Sequence, residues 1–456
     1  MSSTVETPST SWDPLSWTNF PIQQMPNYVD KEALAKAYAQ LQAYPPLTTS
    51  WEIESLRTKL VQVGRGEAFI LQGGDCAERF EDCNPKHIVN LMKVLLQMSF
   101  ILLHEMNLPI VRIGRMAGQY AKPRSSDTEV VNGKTMNSYR GDIINGFEAD
   151  SSNREARPER LVEGYHKAGL TLNFLRSLVD DGFADLHHPE TWELDFMQGN
   201  TFYREYKDMV LSIQHAIGFM ESLKDDRFNA LQKVDYFTSH EALNLWYESA
   251  QTRQVPRRDG WFNLSAHMVW IGNRTRQLDS AHIEYCKGIR NPIGVKVGPG
   301  LAEDELLAIL DALNPSNEEG KIILISRMGR DKVAKELPNL LRRIKAEGKN
   351  VVWQVDPMHG NTFSTKNGTK TRNFDDILED VKQSFAAHRA EGTYLGGIHL
   401  ELTGNNVTEC VGGSQGLNED GLDLNYQSFC DPRLNYEQSL EMAFLVAREW
   451  KLGYKK

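Results

Sequence analysis

The segment VVWQVDPMHGNTFSTKNGTKTR, from Val351 to Arg372, predicts a buried strand that ends in a reactive loop. Its first five residues are nearly all apolar, which is typical of a strand covered on both faces. The chain breaks at Pro357 and then carries His359 into a glycine-bounded loop, on which Lys370 and Arg372 follow. A strand that ends in a metal-type ligand and then two cations indicates the rim of an active site.

The rest of the chain repeats this alternation of apolar strands and helices. Strand-like runs are predicted at 68–75, 109–115, 234–239, 262–267, 293–298, 322–327, 351–356 and 397–402. Helical patterns are predicted at 85–106, across 157–232, and at 239–251, 275–290, 302–313, 331–348 and 374–392. This alternation predicts a parallel sheet covered on both sides, and eight strands in sequence fit a closed (β/α)8 TIM barrel. An open doubly wound sheet is the alternative.

The chain divides into an N-terminal part, residues 1–66, and the barrel, residues 67–456. Trp12 and Trp17 lie ahead of two predicted helices and favour an arm that docks on the barrel or on a neighbouring subunit. The interval between the second and third strands is too long for one crossover helix. We therefore expect an inserted helical pair within 157–232, formed by 157–182 and 200–224, which serves as a regulatory or interface element or only as extra packing.

Composition limits the class of protein. The chain has 456 residues, of which 40% are hydrophobic and 25% charged, as in soluble globular proteins. A formal charge of -10 argues against a nucleic-acid partner. No apolar run approaches the roughly 20 residues that a membrane span needs. The five cysteines form no CxxC pair and the N-terminus resembles no signal or transit peptide, so we predict a cytoplasmic protein.

Charged or metal-ligating residues stand at the predicted end of every strand. These are Cys76, Arg115, His240 with Glu241, His267, Lys296, Arg327, His359 and Glu401. The loops beyond the strands add Lys122, Arg124, Arg274, Lys370, Arg372 and Asp431. Because catalytic groups of a TIM barrel lie at the carboxyl ends of its strands, this pattern predicts an active site there.

One subset has the chemistry of a metal site. Cys76, His359, Glu401 and Asp431 offer a thiolate, an imidazole and two carboxylates from four distant loops. A mixed set of this kind suits a catalytic Mn²⁺, Co²⁺, Fe²⁺ or Zn²⁺ ion better than a closed structural zinc site. Taken singly, each residue also has an ordinary explanation as a small buried residue or a strand-end charge. If Cys430 lies near Cys76, the site is sensitive to oxidation.

The second subset consists of cations, namely Arg115, Lys122, Arg124, Arg274, Lys296, Arg327, Lys370 and Arg372. Buried cations are costly unless they meet an anion, and arginine forks match phosphate and carboxylate geometry. So many cations indicate two phosphate groups, or a phosphate with a carboxylate, although carboxylates of the rim account for one or two of them. No GxGxxG follows the first strand, which argues against a dinucleotide cofactor.

At these residues the chain resembles the class II (plant-type) 3-deoxy-D-arabino-heptulosonate 7-phosphate (DAHP) synthases. The matching motifs are GGDCAE (73–78), RIGRMAGQYAKPRS (112–125), SHEAL (239–243), SAHMVWIGNRTRQLD (265–279), GVKVGP (294–299), SRMGRDKV (326–333), WQVDPMHGNT (353–362), GGIHLELTGNNVTEC (396–410) and CDPRLN (430–435). They cover nearly the whole chain from about residue 12. The family has a (β/α)8 barrel, in agreement with the strand count.

The resemblance implies a reaction and a site. Phosphoenolpyruvate would condense with erythrose 4-phosphate and release phosphate in the first step of the shikimate pathway. The metal ligands would be Cys76, His359, Glu401 and Asp431, with Mn²⁺ foremost. Phosphoenolpyruvate would be held by Arg115, Arg274, Lys296 and Arg327, with Lys122 and the backbone of residue 273. Erythrose 4-phosphate would meet Arg124, Ser125, Lys370 and Arg372.

Some points stay open in this resemblance. Asn273 stands where the family pattern predicts an acidic residue. Glu241, His267 and a water on the metal are alternative activators of the attacking water. The inserted helices resemble a pair that binds aromatic amino acids, which implies feedback inhibition of a homo-oligomeric enzyme, a dimer or a tetramer. A metal-dependent aldolase for another phosphosugar and a catalytically silent aromatic-amino-acid sensor are the rival functions.

Overall fold

Eight parallel strands close into a barrel in the computed structural model, which describes residues 12–183, 192, 202–211 and 235–454. The strands, in chain order, are β1 (Phe69–Gly74), β2 (Ile110–Arg115), β3 (Thr128–Val131), β4 (Lys134–Asn137), β5 (Tyr236–Glu241), β6 (Thr252–Gln254), β7 (Trp261–Asn263), β8 (Met268–Ile271), β9 (Ile293–Val297), β10 (Ile322–Ser326), β11 (Val352–Val355), β12 (Thr362–Ser364), β13 (Lys370–Arg372) and β14 (Leu395–Glu401). The barrel order is β1-β2-β5-β8-β9-β10-β11-β14, and β14 pairs back onto β1. The predicted closed barrel is confirmed, and an open sheet is excluded.

Helices cover the outside of this barrel and one of its ends. Their bounds are Lys31–Ala43, Ser50–Gly64, Pro85–Met106, Glu159–Asp180, Leu245–Ala250, Ala281–Lys287, Glu303–Leu313, Val333–Ala346, Phe374–Glu391 and Tyr436–Tyr454, and residues 202–211 are also helical. Short 3-10 turns lie at Ser16–Asn19, Phe80–Asp82 and Glu419–Leu424. The remainder of the predicted second inserted helix, 200–224, lies outside the described residues.

The helix Ser50–Gly64 closes the amino-terminal end of the barrel. Thr49 and Glu52 form the capping box that starts it. Its residues Leu56, Leu60 and Val63 are fully buried in one cluster with side chains from inside the barrel. Because this end is filled with apolar side chains, the opposite end is the one at which polar groups can gather.

The N-terminal arm packs on the barrel of its own chain. Trp17 is buried and meets Trp246 edge to face, with the ring centroids 4.9 Å apart. Trp12 donates a hydrogen bond from Nε1 to the carbonyl of Glu284 at 2.9 Å. The aromatic residues that favoured a docking arm therefore contact the barrel, and docking on a neighbouring subunit stays a prediction.

The helix Pro85–Met106 departs from the expectation about apolar runs. Among the described residues it is the one helix long and apolar enough to cross a membrane. About two-thirds of its most apolar window, 67%, is buried, and the helix packs against β1, β2 and the helix Tyr436–Tyr454. A core helix of a folded domain has the same properties, so the burial accounts for the composition.

The strand predicted at 262–267 is wrong. Trp261–Asn263 pairs with Thr252–Gln254 in a small antiparallel hairpin, and the barrel strand follows it at Met268–Ile271. The buried side chain of Asn291 accepts a hydrogen bond from the Asn263 N–H and donates one to its carbonyl, each at 2.8 Å. These side-chain hydrogen bonds satisfy the backbone groups of Asn263, which hydrophobic periodicity alone had placed in the hydrogen-bond ladder of a barrel strand.

Pairing at the closure of the barrel brings several strand ends together. Gly74 at the end of β1 lies beside Glu401 of β14 on one side and Arg115 of β2 on the other. Gly74 has a φ of +147°, and a Cβ on it would lie 2.5 Å from the Arg115 carbonyl oxygen. A residue larger than glycine is thus excluded at position 74, between the strand ends that carry Glu401 and Arg115.

Candidate active site

A cavity of about 300 Å³ opens at the carboxyl ends of the barrel strands. It collects most of the residues that the sequence predicted, namely Cys76, Arg115, Lys122, Arg124, Ser125, Glu241, Asn273, Arg274, Lys296, Arg327, His359, Lys370, Glu401 and Asp431. Residues that the sequence did not single out complete the wall, among them Gln119, Trp270 and Phe429, and Cys430 lines it beside Cys76. The cavity has an acidic side and a basic side.

Three predicted metal ligands meet on the acidic side. One ligand atom each from Cys76, Glu401 and Asp431 lies within 4.8 Å of the others. Glu401 is the last residue of β14, Cys76 follows β1 by two residues, and Asp431 lies on the loop before the helix Tyr436–Tyr454. Cys76 and Glu401 are buried, so three groups that can carry negative charge share a site with little solvent.

His359, the fourth predicted ligand, is not one of these three mutually close groups but contacts one of them, Glu401. Its Nε2 lies 3.1 Å from Oε1 of Glu401, and its Nδ1 lies 2.7 Å from Oδ2 of Asp356. The other oxygen of Asp356 accepts hydrogen bonds from the backbone N–H groups of Met358 and His359. Asp356 therefore fixes the loop and the ring, and it leaves Nε2 directed at the cluster, as in histidines that bind metals.

The cluster fits a divalent cation. Burial raises the pKa of the Cys76 thiol well above its usual value, and the Cys430 thiol and the Glu401 carboxylate add to this. A cation is the partner that would hold such a thiol as a thiolate. The ammonium of Lys122 already lies 2.6 Å from both the Cys76 Sγ and Asp431 Oδ2, which shows that this corner favours positive charge.

Lys296 and Arg327 form the inner part of the basic side. Lys296 projects from β9, is buried, and makes an ion pair with Asp356. Burial lowers its pKa to about 8, although Asp356 opposes the shift. Arg327 follows β10 and donates a hydrogen bond to the His359 carbonyl at 2.8 Å.

Trp270 of β8 lies beside two of the cations. The guanidinium carbon of Arg115 lies 5.2 Å from the centre of its ring, and Nζ of Lys296 lies 5.9 Å from it. The negative face of an aromatic ring stabilises cations at such distances. Trp270 thus keeps two positive groups together without neutralising them.

Glu241 is the carboxyl group that faces these cations. Its Oε1 is buried and has no hydrogen-bond partner within the described part of the chain. Burial raises the pKa of Glu241, while Lys296 and other nearby cations reduce the increase. A buried carboxyl beside cations in a cavity can hold a proton or accept one during a reaction.

Three residues that the sequence predicted at the rim do not line the cavity, and the first of them, His240, is buried with its Nε2 2.7 Å from Oε1 of Glu248. Arg372 is fully buried behind Glu401, with its NH1 2.7 Å from Oε2 of that carboxylate, and it does not line the cavity. His267 precedes β8 at the amino-terminal end of the barrel, where its Nε2 lies 3.7 Å from Oε1 of Glu52. The shifted position of β8 explains the case of His267, because residue 267 was expected at the end of a strand.

The thiols of Cys76 and Cys430 are neighbours in the cavity wall, and each shifts the pKa of the other. We expect a mild thiol oxidant to link them in the metal-free protein, and a reductant to reverse the change. Peptide mass spectrometry after diamide treatment measures the link, with Cys430→Ser as the control that should not form it. Quantitative oxidation of other cysteines while Cys76 and Cys430 stay reduced would contradict this expectation.

Comparison with known proteins agrees with this arrangement. The sequence profile of the class-II DAHP synthetase family matches residues 12–447. The chain belongs to this family. It is 49% identical to a phospho-2-dehydro-3-deoxyheptonate aldolase of Neurospora crassa, over 98% of this chain and 95% of the relative. It is 46% identical to a protein of the same name from Streptomyces coelicolor, over 96% of this chain and 97% of the relative. It is 44% identical to phospho-2-dehydro-3-deoxyheptonate aldolase AroG of Mycolicibacterium smegmatis, over 94% of this chain and 92% of the relative.

As a class-II DAHP synthetase, the chain is an enzyme. Its site also contains residues that were not predicted from the sequence. Asp356 is the main one, because it contacts both Lys296 and His359. It stands at the end of the predicted strand 351–356, and a carboxylate in that position was a usable signal. Trp270 and Gln119 carried no comparable signal, since their roles depend on which strands become neighbours.

Proposed function

We propose that this protein condenses phosphoenolpyruvate with D-erythrose 4-phosphate to give DAHP and inorganic phosphate. One observation carries the proposal, namely that a single cavity joins a buried Cys/Glu/Asp cluster to a wall of lysines and arginines. Such a wall suits two anionic substrates, which would otherwise repel each other. Membership of the class-II DAHP synthetase family supports the same reaction. Incubation with both substrates, followed by detection of DAHP by mass spectrometry, tests the proposal.

Cys76, His359, Glu401 and Asp431 would hold one divalent metal ion, with Mn²⁺ as the first candidate and Co²⁺, Fe²⁺ or Zn²⁺ as alternatives. When bound, the ion would supply Lewis-acid polarisation of the aldehyde. Arg372 acts behind this set in our assignment, because its contact with Glu401 orients the carboxylate.

The basic side would bind the two substrates in adjacent places. Arg115, Arg274, Lys296 and Arg327 would hold phosphoenolpyruvate, with Lys122 and the backbone at Asn273. Toward the mouth, Arg124, Ser125 and Lys370 would hold erythrose 4-phosphate. Arg274 donates a hydrogen bond to the Ser125 hydroxyl at 2.8 Å, so the two places share a border. Cations at that border offset the repulsion between the two anions and bring the reacting carbons together.

The bond changes follow from the substrates. C3 of phosphoenolpyruvate attacks the aldehyde carbon, a carbon–carbon bond forms, and the aldehyde oxygen takes up a proton. Water adds to the positive centre left at C2 and loses one proton, which leaves a hydroxyl on that carbon. The C2–O bond to phosphate then breaks, the hydroxyl loses its proton as the C2 carbonyl forms, and inorganic phosphate departs. We assign the proton transfers to Glu241, the buried carboxyl that lines the cavity, and not to His267, which lies at the other end of the barrel.

Lys296 is expected to give the activity a descending limb above about pH 8. The pKa of this amine in the free enzyme is lowered by burial to about 8. As the pH rises through this value the positive charge is lost, so kcat/KM for phosphoenolpyruvate falls by about tenfold per pH unit. A bound anion stabilises the charged amine, so kcat at saturation persists to higher pH. Separate pH profiles of kcat and kcat/KM test this, and a kcat/KM that stays level to about pH 9.5 contradicts it.

Lys370 is expected to contribute to the binding of erythrose 4-phosphate. Its side chain is half exposed and lies 3.2 Å from Asp431 at the mouth of the cavity. The Lys370→Met variant should raise KM for erythrose 4-phosphate by about 5- to 10-fold, as expected for a partly solvated charge pair, with KM for phosphoenolpyruvate unchanged. Lys366→Met, on the same loop but outside the cavity wall, is the control. A rise in KM for phosphoenolpyruvate alone would reverse our placement of the substrates.

The rival functions give different products. A plain aldolase acting on another phosphosugar releases no phosphate, so phosphate release that requires both substrates separates it from our proposal. A silent aromatic-amino-acid sensor shows no turnover of phosphoenolpyruvate. Feedback inhibition by an aromatic amino acid, homo-oligomerisation, a place at the start of the shikimate pathway and a cytoplasmic location stay predictions.

A further inference from the structure

The loop that carries Asp431 is pinned at both ends by one carboxylate. Residues 426–433 form neither helix nor strand, yet they must present Asp431 to the cavity. Oε1 of Glu409, which is fully buried, accepts hydrogen bonds from the N–H groups of Gln427 and Ser428, at 3.1 and 2.8 Å. Oε2 accepts one from the N–H of Arg433 at 2.8 Å. Glu409 therefore holds the two ends of this loop together, and we call this set of hydrogen bonds the clamp.

The side chain of Arg433 extends this clamp to the opposite loop. Its Nε and NH2 donate to the two oxygens of Glu409 at 3.1 and 2.8 Å, and its NH1 donates to Oδ1 of Asp75 at 2.5 Å. Asp75 directly precedes Cys76, and its second oxygen lies 2.8 Å from Nε2 of His87. The chain of contacts from Glu409 to Asp75 therefore joins the two loops that carry Asp431 and Cys76.

This arrangement is more than ordinary packing. Ionised groups are expensive to bury, and an apolar core would stabilise the fold equally well at lower cost. None of Glu409, Arg433 and Asp75 lines the main cavity, so they do not touch substrate themselves. Glu409 contacts the backbone on both sides of Asp431, while Arg433 follows Asp431 by two residues and Asp75 directly precedes Cys76. Groups in this position set the orientation of ligands in metal sites, and their loss costs about 10- to 100-fold in metal affinity.

We propose that Glu409, acting through Arg433 and Asp75, is a positioning residue that holds Asp431 and Cys76 at the spacing that one divalent ion requires. The inference rests on the proposed metal-dependent function, but it concerns a part of the structure that the reaction does not contact. Glu409 was not among the sequence-predicted site residues, because nothing in its surroundings in the chain indicates that it meets residues 427, 428 and 433.

Binding of Co²⁺ tests the proposal, because a thiolate ligand gives cobalt a charge-transfer absorption that reports on Cys76. Glu409→Gln should raise the dissociation constant for Co²⁺ by about 10- to 100-fold and weaken this absorption. The matched control is Glu248→Gln, which removes another buried carboxylate that accepts hydrogen bonds from Asn263 and Ser265, away from the cavity. It should lower the melting temperature without changing Co²⁺ affinity. If Glu409→Gln does not fold, Arg433→Lys carries the same expectation, since it keeps the charge and loses the fork.

A second measurement needs no metal. Diamide-driven linkage of Cys76 to Cys430 depends on the position of the same loop, so it should slow in Glu409→Gln and not in Glu248→Gln. Slower linkage in a protein whose wild type binds no Co²⁺ would refute the proposed metal site while supporting the clamp. Wild-type Co²⁺ affinity and linkage rate in Glu409→Gln, or equal losses in the control, would overturn the inference.

Discussion

Replacing Cys76 by alanine is expected to abolish the condensation while the barrel stays folded. The thiol is one of three ligand atoms that lie within 4.8 Å of one another, and its loss removes the softest donor of the set. If the ion supplies several kcal/mol to the transition state, turnover falls by about 10³-fold or more. Steady-state rates, bound metal per chain and the thermal unfolding curve should be measured on the same preparation.

Cys430→Ala is the matched control for this experiment. The two thiols are neighbours, but only Cys76 belongs to the ligand cluster, so the Cys430 variant should keep its metal and most of its activity. Full activity of Cys76→Ala in the presence of a chelator would refute the metal site and the role of Cys76 together.

Removal of the Lys296 charge is expected to have the second-largest effect. Lys296→Met should weaken the binding of phosphoenolpyruvate by about 2–5 kcal/mol, which is roughly 30- to 5,000-fold. The physical reason is twofold: the substrate loses a buried cation, and Asp356 loses its ion pair with the lysine. Isothermal titration with phosphoenolpyruvate alone measures the change without interference from the chemical step.

Lys321 provides a matched buried lysine outside the site. Its ammonium donates hydrogen bonds to the carbonyls of Ile289 and Asn291, and it does not line the cavity. Lys321→Met should alter stability and leave phosphoenolpyruvate affinity unchanged. If the two variants bind phosphoenolpyruvate equally well, Lys296 is not a substrate contact.

The sequence predicted the barrel because the alternation of apolar strands and helices repeats along the chain. Runs such as 293–298 and 322–327 are short, apolar and flanked by helical patterns, and each lies within one residue of an observed strand. The exception was 262–267, where side-chain hydrogen bonds from Asn291 replace a ladder. Hydrophobic periodicity cannot detect a buried amide that comes from a residue 28 positions further along the chain.

The candidate site followed the same logic. Fourteen predicted residues line the cavity because strand ends of a closed parallel barrel converge on one rim, whatever their distance in sequence. Arg372 does not line the cavity, because its side chain is buried behind that of Glu401. How deeply a side chain at the rim is buried depends on packing, which the sequence does not show. Asp356 and Glu409 were missed since their importance lies in contacts between loops, which one-dimensional spacing does not contain.

The most direct test of the account is phosphate release by protein that has been stripped of metal and then titrated with Mn²⁺. We predict no release without metal, none with either substrate alone, and stoichiometric release with DAHP formation once about one Mn²⁺ per chain and both substrates are present. Unchanged release from the stripped protein in excess chelator, or release that ignores erythrose 4-phosphate, would contradict the claim that one ion and one wall of cations join two anions in this cavity.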